Sequence, residues 1–331
     1  QQYDHEVQGG SVLKPLQGIG RVNGDATIVK PVLGSNKGIV ISHGINPSYS
    51  DIDTYNMAAA AIDTAVRNVV AVGADPKKIA LLDNFCWCSS NEPERLGQLK
   101  RAVQACHDTA LIYKTPFISG KDSMFNDFKG YDENGNPIKI SVPPTLLISS
   151  IAVIDDVRDA VSLDAKIPED LIYVLGENRD ELGASEYFAM MGEKLRGERF
   201  IGNNVPEVMR VKNIILYENF FQAVSKGIVV SAQSIHRGGL AVALAKTAMG
   251  GKLGMEVFLG ELKDNKMRDD FILYSESQGR LVVTINPRYE AEFEKTMHGS
   301  KISRLGFVKE SGNFTIRGND GKMIIETSVD K

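Results

Sequence analysis

The stretch DTYNMAAAAIDTAVRNVVAVGADPKKIALLDNF, residues 53–85, decides the fold. Small and apolar residues recur at helical spacing over residues 53–72, which predicts a helix. The sequence Gly-Ala-Asp-Pro at residues 73–76 ends that helix, and residues 78–82 are typical of a buried strand. A helix that leads directly into a buried strand indicates mixed α/β packing.

The same patterns continue on both sides of this stretch. Residues 26–32 and 37–42 are short β-branched runs separated by a turn, which predicts a hairpin. Further along we expect a helix at 92–113, a strand at 116–119, a hairpin tip at 129–137 and a strand at 144–154. A charged connector follows, after which we expect a strand at 171–176, helices at 185–191, 206–225 and 238–249, and strands around Phe271, Leu281 and Met323.

Chain length and these elements predict two domains. At 331 residues the chain is about twice a typical single domain. We assign residues 1–25 to an extended, glycine-rich lead-in or linker, 26–156 to a first domain and 168–331 to a second. The chain begins with Gln-Gln-Tyr-Asp rather than Met, and we interpret it as part of a longer protein.

Composition restricts the class of partner. The formal net charge of -4 and the pI near 5.8 provide no basic excess, so we expect no nucleic-acid partner. The longest apolar runs, residues 57–61 and 146–154, fall short of the ~20 residues that cross a bilayer, so we expect no membrane role. Cys86, Cys88 and Cys106 match neither a zinc site nor a disulfide framework, and we predict reduced thiols in the cytoplasm.

Polar clusters follow two predicted strands of the first domain. Asp83 and Asn84 end the strand at 78–82, and a carboxylate there can hold Mg²⁺ or cap the next segment. Gly-Lys-Asp-Ser at 120–123 follows the next strand, where Gly120 lets a ligand approach the backbone and Lys121 can neutralise a phosphate. The alternative for this second cluster is a tight turn with solvated charges. The Walker spacing is absent.

Three polar clusters stand out in the second domain. Ser185 begins a helix whose amides can receive an anion, or it caps that helix. Arg237, followed by two glycines, suits a phosphate, or it marks a plain junction between a loop and a helix. Glu276 and Gln278 lie in an apolar context in which polar groups need partners, and for these two we favour a functional role.

Taken in order, these clusters resemble the formylglycinamide ribonucleotide amidotransferases (phosphoribosylformylglycinamidine synthases). The synthetase subunit of that family contains two copies of the aminoimidazole ribonucleotide synthetase-like fold. The matching stretches run through nearly the whole chain: Tyr-Asp-His-Glu-Val-Gln at 3–8, Asn-Val-Val-Ala-Val-Gly-Ala-Asp-Pro at 68–76, Asp83-Asn84, Gly-Lys-Asp-Ser at 120–123 and Ser-Glu-Ser-Gln at 275–278. The resemblance implies the C-terminal copy, with an α/β half-barrel domain followed by a mixed α/β domain.

The resemblance also implies chemistry and site residues. The family uses MgATP to phosphorylate the formamide oxygen of a ribonucleotide, and ammonia from glutamine then displaces phosphate. Asp83 and Gly120 match nucleotide-contacting positions, and Ser123 matches a substrate-contacting serine. Lys121 stands at a position where small forms of the family have a magnesium-binding Asn, and Asn68 matches a further metal position. Asn84, Asp122, Arg237, Glu276 and Gln278 are further candidates, and the implied ligands are ATP or ADP and Mg²⁺.

Several positions depart from the family pattern. Ile41, Thr64, Ser234 and Arg237 replace four acidic metal ligands, so the resemblance implies too little negative charge for Mg²⁺ around a triphosphate. The family's proposed catalytic His, in a Ser-Glu-His-Cys-Ser-Tyr pattern, is also absent from the sequence. We therefore expect the isolated chain to be inactive and assign it no catalytic residue.

The sequence leaves three functional readings. In the first, this half pairs with the N-terminal half of the same synthetase, and in short forms also with a glutaminase subunit and a small bridging subunit. In the second, it is a catalytically silent nucleotide-binding scaffold. In the third, it is a stand-alone enzyme like aminoimidazole ribonucleotide synthetase. Self-association of the fragment into a homodimer is an additional expectation.

Overall fold

Two main sheets organise the protein, and the computed structural model describes residues 9–262 and 267–330. The family-like stretch at 3–8 lies outside the described residues. The first sheet has six strands in the order β1-β4-β5-β10-β6-β7, and the second has seven in the order β12-β14-β11-β15-β13-β16-β17. The strand pairs β2-β3 and β8-β9 form separate small sheets.

The strands are β1 (Ser11–Leu13), β2 (Leu16–Gln17), β3 (Val22–Asn23), β4 (Ala26–Val29), β5 (Gly38–Ile45), β6 (Ile79–Cys86), β7 (Phe117–Ser123), β8 (Asp127–Tyr131), β9 (Pro137–Ser141), β10 (Thr145–Ile154), β11 (Leu171–Leu175), β12 (Val229–Ile235), β13 (Gly254–Phe258), β14 (Arg280–Ile285), β15 (Ile302–Lys309), β16 (Asn313–Arg317) and β17 (Met323–Ser328). The helices are α1 (Thr54–Ala71), α2 (Pro93–Tyr113), α3 (Glu186–Arg196), α4 (Arg210–Ser225), α5 (Gly239–Gly251), α6 (Asp269–Tyr274) and α7 (Glu290–Thr296). The prediction of a two-domain α/β fold is confirmed.

Helix α1 packs against the inner face of the first sheet. Its start is fixed by Asp53, whose side chain accepts a hydrogen bond from the Tyr55 amide, and sixteen of its eighteen residues are buried. The small side chains of α1 let the backbone of the sheet come close. A Cβ on Gly44 of β5 would lie 2.0 Å from the Ala61 carbonyl oxygen, so this contact requires glycine.

The opposite face of the first sheet carries exposed apolar side chains. Ile41 of β5 is 46% exposed, Ile118 of β7 60% and Val153 of β10 43%. Strand alternation explains the pattern, because neighbouring residues along β5 and β10 alternate between the buried helix side and the open side. We call this face the open sheet face.

In the second domain, the predicted strand around Phe271 is wrong. The residues around Phe271 form the short helix α6. Asp269 and Asp270 lie in its first turn, where the helix dipole stabilises negatively charged side chains. The Phe271 ring packs edge-on against Phe188 of α3. Residues 275–278 consequently lie in the loop between α6 and β14 rather than in a strand.

A buried polar cluster joins the two domains. Asp63 of α1 accepts hydrogen bonds from Tyr113 of α2 at 2.5 Å, from Tyr217 of α4 at 2.7 Å and from the Gly279 amide at 3.1 Å. Asp63 also forms an ion pair with Arg67, and both side chains are completely buried. These contacts satisfy a carboxylate that would otherwise be costly to bury, and they link α1 to the second domain.

The described part of the lead-in, residues 9–25, contacts both domains. Strand β1 pairs with β4 at the edge of the first sheet. The Gly20 amide donates to the Gly250 carbonyl oxygen of α5 at 2.9 Å. This lead-in is therefore packed structure as well as a connection. Among the described residues, the structure contains no helix with both the length and the apolar content needed to cross a membrane.

Candidate functional site

Strands β6 and β7 bring the first predicted cluster together. They run parallel, and their register places Asp83 opposite Gly120, Asn84 opposite Lys121 and Cys86 opposite Ser123. The polar residues thus lie in the C-terminal parts of two adjacent parallel strands. The C-terminal ends of both strands lie on the same side of the sheet. We call residues 83–84 and 120–123 the strand-end cluster.

The Asp83 carboxylate lies directly over Gly120. A Cβ on Gly120 would be 1.9 Å from Asp83 Oδ1, so only glycine leaves room for this carboxylate. Desolvation raises the pKa of Asp83, and the nearby Asp122 carboxylate raises it further, while the Lys121 amide donates to it and opposes the rise. The site therefore favours a cation or a proton beside Asp83.

The other members of the strand-end cluster differ in exposure. Gly120, Lys121 and Asp122 are exposed. Asn84 has a buried side-chain oxygen with no hydrogen-bond partner in the part of the chain that the structure describes. Ser123 is half-buried, and its carbonyl oxygen accepts from the Trp87 amide at 2.8 Å. The capping role considered for Asp83 and the tight turn considered for residues 120–123 are wrong, because both segments are strand.

Magnesium fits the strand-end cluster only with ligands from outside the chain. Among the described residues no group of three or more His, Cys, Asp or Glu side chains could hold a metal ion. Asp83 and Asp122 provide two carboxylates near each other, and magnesium commonly takes one or two carboxylates together with phosphate oxygens and water. Lys121 is a cation, and its side chain is unsuited to ligate a metal.

A second site is a cavity of about 400 Å³ between the domains, lined by residues that include Asp25, His43, Asn46 and Asn68. The Asp25 carboxylate accepts from the Ser234 amide at 2.9 Å and from the Gln233 side chain at 2.5 Å. We call this the Asp25 cavity. Protein donors occupy both oxygens of the Asp25 carboxylate.

Two basic side chains complete the contacts of Asp25. His236 Nε2 lies 3.2 Å and Lys246 Nζ 3.5 Å from Asp25 Oδ1. Although burial alone raises the pKa of Asp25, its hydrogen bond and charge contact with His236, then Lys246 and the Ser234 amide, hold that pKa well below its usual range. The Asp25 carboxylate is therefore ionised, and both of its oxygens already accept from protein donors.

Two buried amides of the Asp25 cavity have an unused polar atom. Asn68 Nδ2 donates to the His43 carbonyl oxygen at 3.1 Å, which leaves Asn68 Oδ1 without a partner among the described residues. Asn46 Nδ2 is likewise unpartnered there. Asn68 is 4% exposed and Asn46 is 5% exposed, so bulk water has little access to either side chain.

Glu276 and Gln278 are held by contacts within the protein. The Glu276 carboxylate accepts from Tyr49 Oη at 2.8 Å and from the amides of Glu186 at 3.0 Å and Gly238 at 2.9 Å. Gln278 Oε1 accepts from Thr64 Oγ1 at 3.1 Å and from the Arg67 guanidinium at 3.2 Å. Both residues use their polar groups to join helices and domains.

The four positions at which the resemblance implies acidic residues lie as follows. Thr64 donates to Gln278, and Ser234 Oγ accepts from Arg67 Nε at 2.8 Å. Arg237 lines the Asp25 cavity and forms an ion pair with Glu186, and Ile41 belongs to the open sheet face. Ser185 is a true cap, because its Oγ accepts from the Phe188 amide at 3.2 Å.

The sequence predicts no site role for Asp25, Asn46, His236 or Lys246. Asp25 and His236 are separated by 211 positions, and their pairing arises only from packing. A weak signal was present, because Asp25 follows Asn23-Gly24 immediately before a strand and His236 precedes Arg237 at a helix start. Neither signal indicates a contact.

Comparison with known proteins identifies the family. Residues 23–142 match the model described as "AIR synthase related protein, N-terminal domain", and residues 168–319 match its C-terminal domain. The chain belongs to the AIR synthase related protein family. The first segment contains four of the six strands of the first sheet, and the second contains six of the seven strands of the second sheet.

Relatives within this family include a curated synthase subunit. The chain is 35% identical over 287 residues to phosphoribosylformylglycinamidine synthase subunit PurL of Methanocaldococcus jannaschii, which covers 86% of this chain and 36% of the relative. Across four such curated relatives the chain spans 36–41% of their length. The chain thus spans less than half the length of these four relatives.

Solved structures with the same fold come from Thermotoga maritima. PurL complexed with FGAR superposes with a TM-score of 0.72 at 21% identity, covering 95% of this chain and 48% of that chain. PurL complexed with ATP gives a TM-score of 0.66 at 19% identity, covering 99% and 49% respectively. At these identities the likeness establishes the fold.

Proposed function

We propose that this chain is the C-terminal half of a phosphoribosylformylglycinamidine synthase, the ligase that converts formylglycinamide ribonucleotide, ATP and ammonia into the amidine, ADP and phosphate. Its curated relatives bear that name, and it spans 36–41% of their length. The ammonia comes from glutamine through a glutaminase subunit, joined in short forms by a small bridging subunit. Three free cysteines, Cys86, Cys88 and Cys106, agree with a cytoplasmic location.

The observation that carries this proposal is the open sheet face beside the strand-end cluster. Ile118 is 60% exposed on the same strand that presents Gly120, Lys121 and Ser123. An exposed apolar face of this kind marks a protein interface. The occupant we propose is the first synthetase copy, because the relatives are more than twice as long as this chain and an apolar sheet face suits a like sheet.

In the shared site, each strand-end residue has a proposed task. Asp83 and Gly120 contact the nucleotide, and Ser123 contacts the ribonucleotide substrate. Asp83 and Asp122 would hold Mg²⁺ together with phosphate oxygens, and Mg²⁺ would neutralise the charge of the phosphates. Lys121, exposed beside these carboxylates, would contact a phosphate directly.

The proposal is tested by complementation. The chain alone and the chain joined to a first copy from the Methanocaldococcus jannaschii relative are assayed for ATP-dependent amidine formation from formylglycinamide ribonucleotide and ammonia. We expect activity only in the joined protein, and its loss with Asp83→Asn. Turnover by the chain alone, or full activity of the Asp83→Asn protein, would contradict the proposal.

A catalytically silent nucleotide-binding scaffold is the second candidate. It is favoured by the Asp25 cavity, where protein donors already occupy the carboxylate, and by Thr64, Ser234 and Arg237, positions at which the resemblance implies acids. Under this reading the joined protein keeps full activity when the strand-end cluster is mutated. The same assay therefore separates the two candidates. A stand-alone homodimeric enzyme predicts turnover by the chain alone.

A further inference from the structure

Another cavity, of about 170 Å³, lies within the second domain at the start of α4. The loops that follow β11 and precede β15 form its other sides. Met209, Ile215 and Leu216 give it an apolar wall. We call it the α4 cavity. It is smaller than the roughly 300–1,000 Å³ typical of pockets for drug-sized ligands, so it suits a ligand of a few heavy atoms.

A side-chain oxygen of the α4 cavity has no partner among the described residues. Asn213 lines the cavity and is only 6% exposed. Its Nδ2 donates to Asp63 Oδ1 at 3.0 Å, which fixes the orientation of the amide group. No described residue donates to Asn213 Oδ1, and that atom is not completely enclosed by protein. Because a buried acceptor is costly to leave unpaired, this oxygen favours a ligand with an N–H or O–H donor.

The start of α4 favours an anion. Met209, the N-cap residue, makes no side-chain hydrogen bond to the first turn, and that turn contains no acidic side chain. The positive end of the helix dipole therefore attracts negative charge from a ligand. Lys212 and Arg179 add two cations to the cavity lining. Lys212 pairs with Glu177 at 2.7 Å and Arg179 with Glu181 at 3.1 Å, and both cations keep further N–H groups that can donate to a ligand.

The Glu177 carboxylate identifies the donor group of the ligand. Glu177 and Asn213 line the same cavity, and a carboxylate favours a charged ammonium group over a neutral hydroxyl. Glu177 and Lys212 lie side by side, as the two opposite charges of an α-amino acid do.

We propose that the α4 cavity binds a small aliphatic α-amino acid in its zwitterionic form. The ligand carboxylate contacts the start of α4 and Lys212. The ammonium group donates to Asn213 Oδ1 and Glu177, and the aliphatic side chain packs against the apolar wall. This site does not rest on the synthase reaction or on the strand-end cluster.

The test measures binding of three probes to the full chain by calorimetry: L-valine, isovalerate, which lacks the ammonium group, and isobutylamine, which lacks the carboxylate. We expect L-valine to bind, and each of the other probes to bind at least about tenfold more weakly, because each leaves one charged contact unmade. Absence of saturable L-valine binding, or isovalerate binding as tight as that of L-valine, would overturn the proposal.

Two substitutions assign the charged contacts. Glu177→Gln should weaken L-valine about tenfold and leave isovalerate no weaker, because it removes only the anion beside the ammonium group. Lys212→Met should weaken L-valine and isovalerate about tenfold and leave isobutylamine no weaker. Lys77→Met and Glu218→Gln are the matched controls, because Lys77 and Glu218 of α4 form an ion pair at 3.6 Å outside the cavity lining. Both controls should bind L-valine as the parent protein does.

Urea unfolding separates loss of a contact from loss of structure. The Lys212 and Glu177 side chains are 59% and 38% exposed, so neither substitution should change the stability of the free chain by much. L-Valine should raise the urea midpoint of the parent protein and of both controls, because it binds only the folded chain, and should raise that of the two cavity variants less. If Glu177→Gln weakens isovalerate as much as L-valine, or both cavity variants bind L-valine as the parent protein does, the assignment is wrong. The measurement needs no first synthetase copy, so failure of complementation leaves this test intact.

Discussion

Gly120 and Asp83 fit together so closely that a single methyl group on Gly120 would fall 1.9 Å from the Asp83 carboxylate oxygen. Gly120→Ala should therefore turn the Asp83 carboxylate away from its place at the strand ends. In the joined synthetase we expect kcat/KM to fall on the order of 100-fold, the loss that follows displacement of a site group by about 1 Å. Steady-state kinetics with ATP as the varied substrate provide the measurement.

Gly97→Ala on α2 is the control for Gly120→Ala. A Cβ there meets no atom within 4 Å, and alanine favours a helix. We expect unchanged kinetics and equal or greater stability. If both alanine variants have the kinetics of the parent protein, Asp83 has no part in nucleotide contact.

The Asp63–Arg67 ion pair predicts a large loss of stability when one partner is removed. Arg67→Met leaves the fully buried Asp63 carboxylate without its cation, so we expect the free energy of unfolding to fall by about 3–5 kcal/mol. Urea unfolding followed by circular dichroism measures this change. Arg158→Met removes a 76% exposed partner of Asp156 and should have little effect. An equal effect of both substitutions would show that the buried cluster does not hold the domains together.

Tyr49 and Glu276 form a direct hydrogen bond between the domains. Tyr49→Phe removes the hydroxyl that donates to Glu276 at 2.8 Å, and we expect a loss of about 1–3 kcal/mol because a buried carboxylate loses one of its donors. Burial already raises the pKa of Glu276, and loss of the Tyr49 hydroxyl should raise it further. Tyr131→Phe, at a side chain that is 75% exposed, should not change urea stability. Equal stability of the two variants would contradict this account.

Asp170 predicts a pH-dependent stability. Its side chain is completely buried, both of its oxygens lack partners among the described residues, and desolvation raises its pKa to about 6. Between the unfolded pKa near 4 and the folded pKa, the folded protein binds more protons, so stability falls as pH rises through this window. Asp170→Asn cannot ionise. Relative to the parent protein it should gain up to about 3 kcal/mol between pH 4 and pH 8.

Urea unfolding at several pH values tests the Asp170 prediction. Asp320→Asn is the control, because a hydrogen bond from Lys322 lowers the pKa of that exposed carboxylate. It should show no gain toward high pH. If the difference between Asp170→Asn and the parent protein is the same at pH 4 and pH 8, the carboxyl of Asp170 does not titrate in this range.

The long elements were predictable because periodicity over many residues is unambiguous. Helices α1 and α2 lie within one or two residues of their predicted bounds, and β10 extends over residues 145–154 against the predicted 144–154. The prediction of a strand around Phe271 is wrong, since a short apolar run fits a strand and one turn of helix equally well. The aromatic contact of Phe271 with α3 is a tertiary interaction, and local sequence does not encode it.

The site residues divide in the same way. Asp83 and Gly120 were recognisable because each lies beside an apolar run, and the structure places them opposite one another on β6 and β7. Their role in nucleotide binding stays a prediction. Glu276 is recognisable in the sequence as a polar residue in an apolar context, but its partners come from three distant segments. The sequence shows that a polar residue lies among apolar neighbours and needs partners, but it does not show which residues those partners are.

The sequence by itself determined the α/β class, the two domains and the strand-end position of Asp83 and Gly120, because these follow from periodicity and turn chemistry over neighbouring residues. Tertiary structure alone decided that Asp25 meets His236 and Lys246, and that Asn46 and Asn68 line the same cavity. The physical reason is that hydrogen bonds and charge contacts depend on distances between segments up to 227 positions apart. Those distances are set only when the second domain packs against the lead-in and against α1 of the first domain.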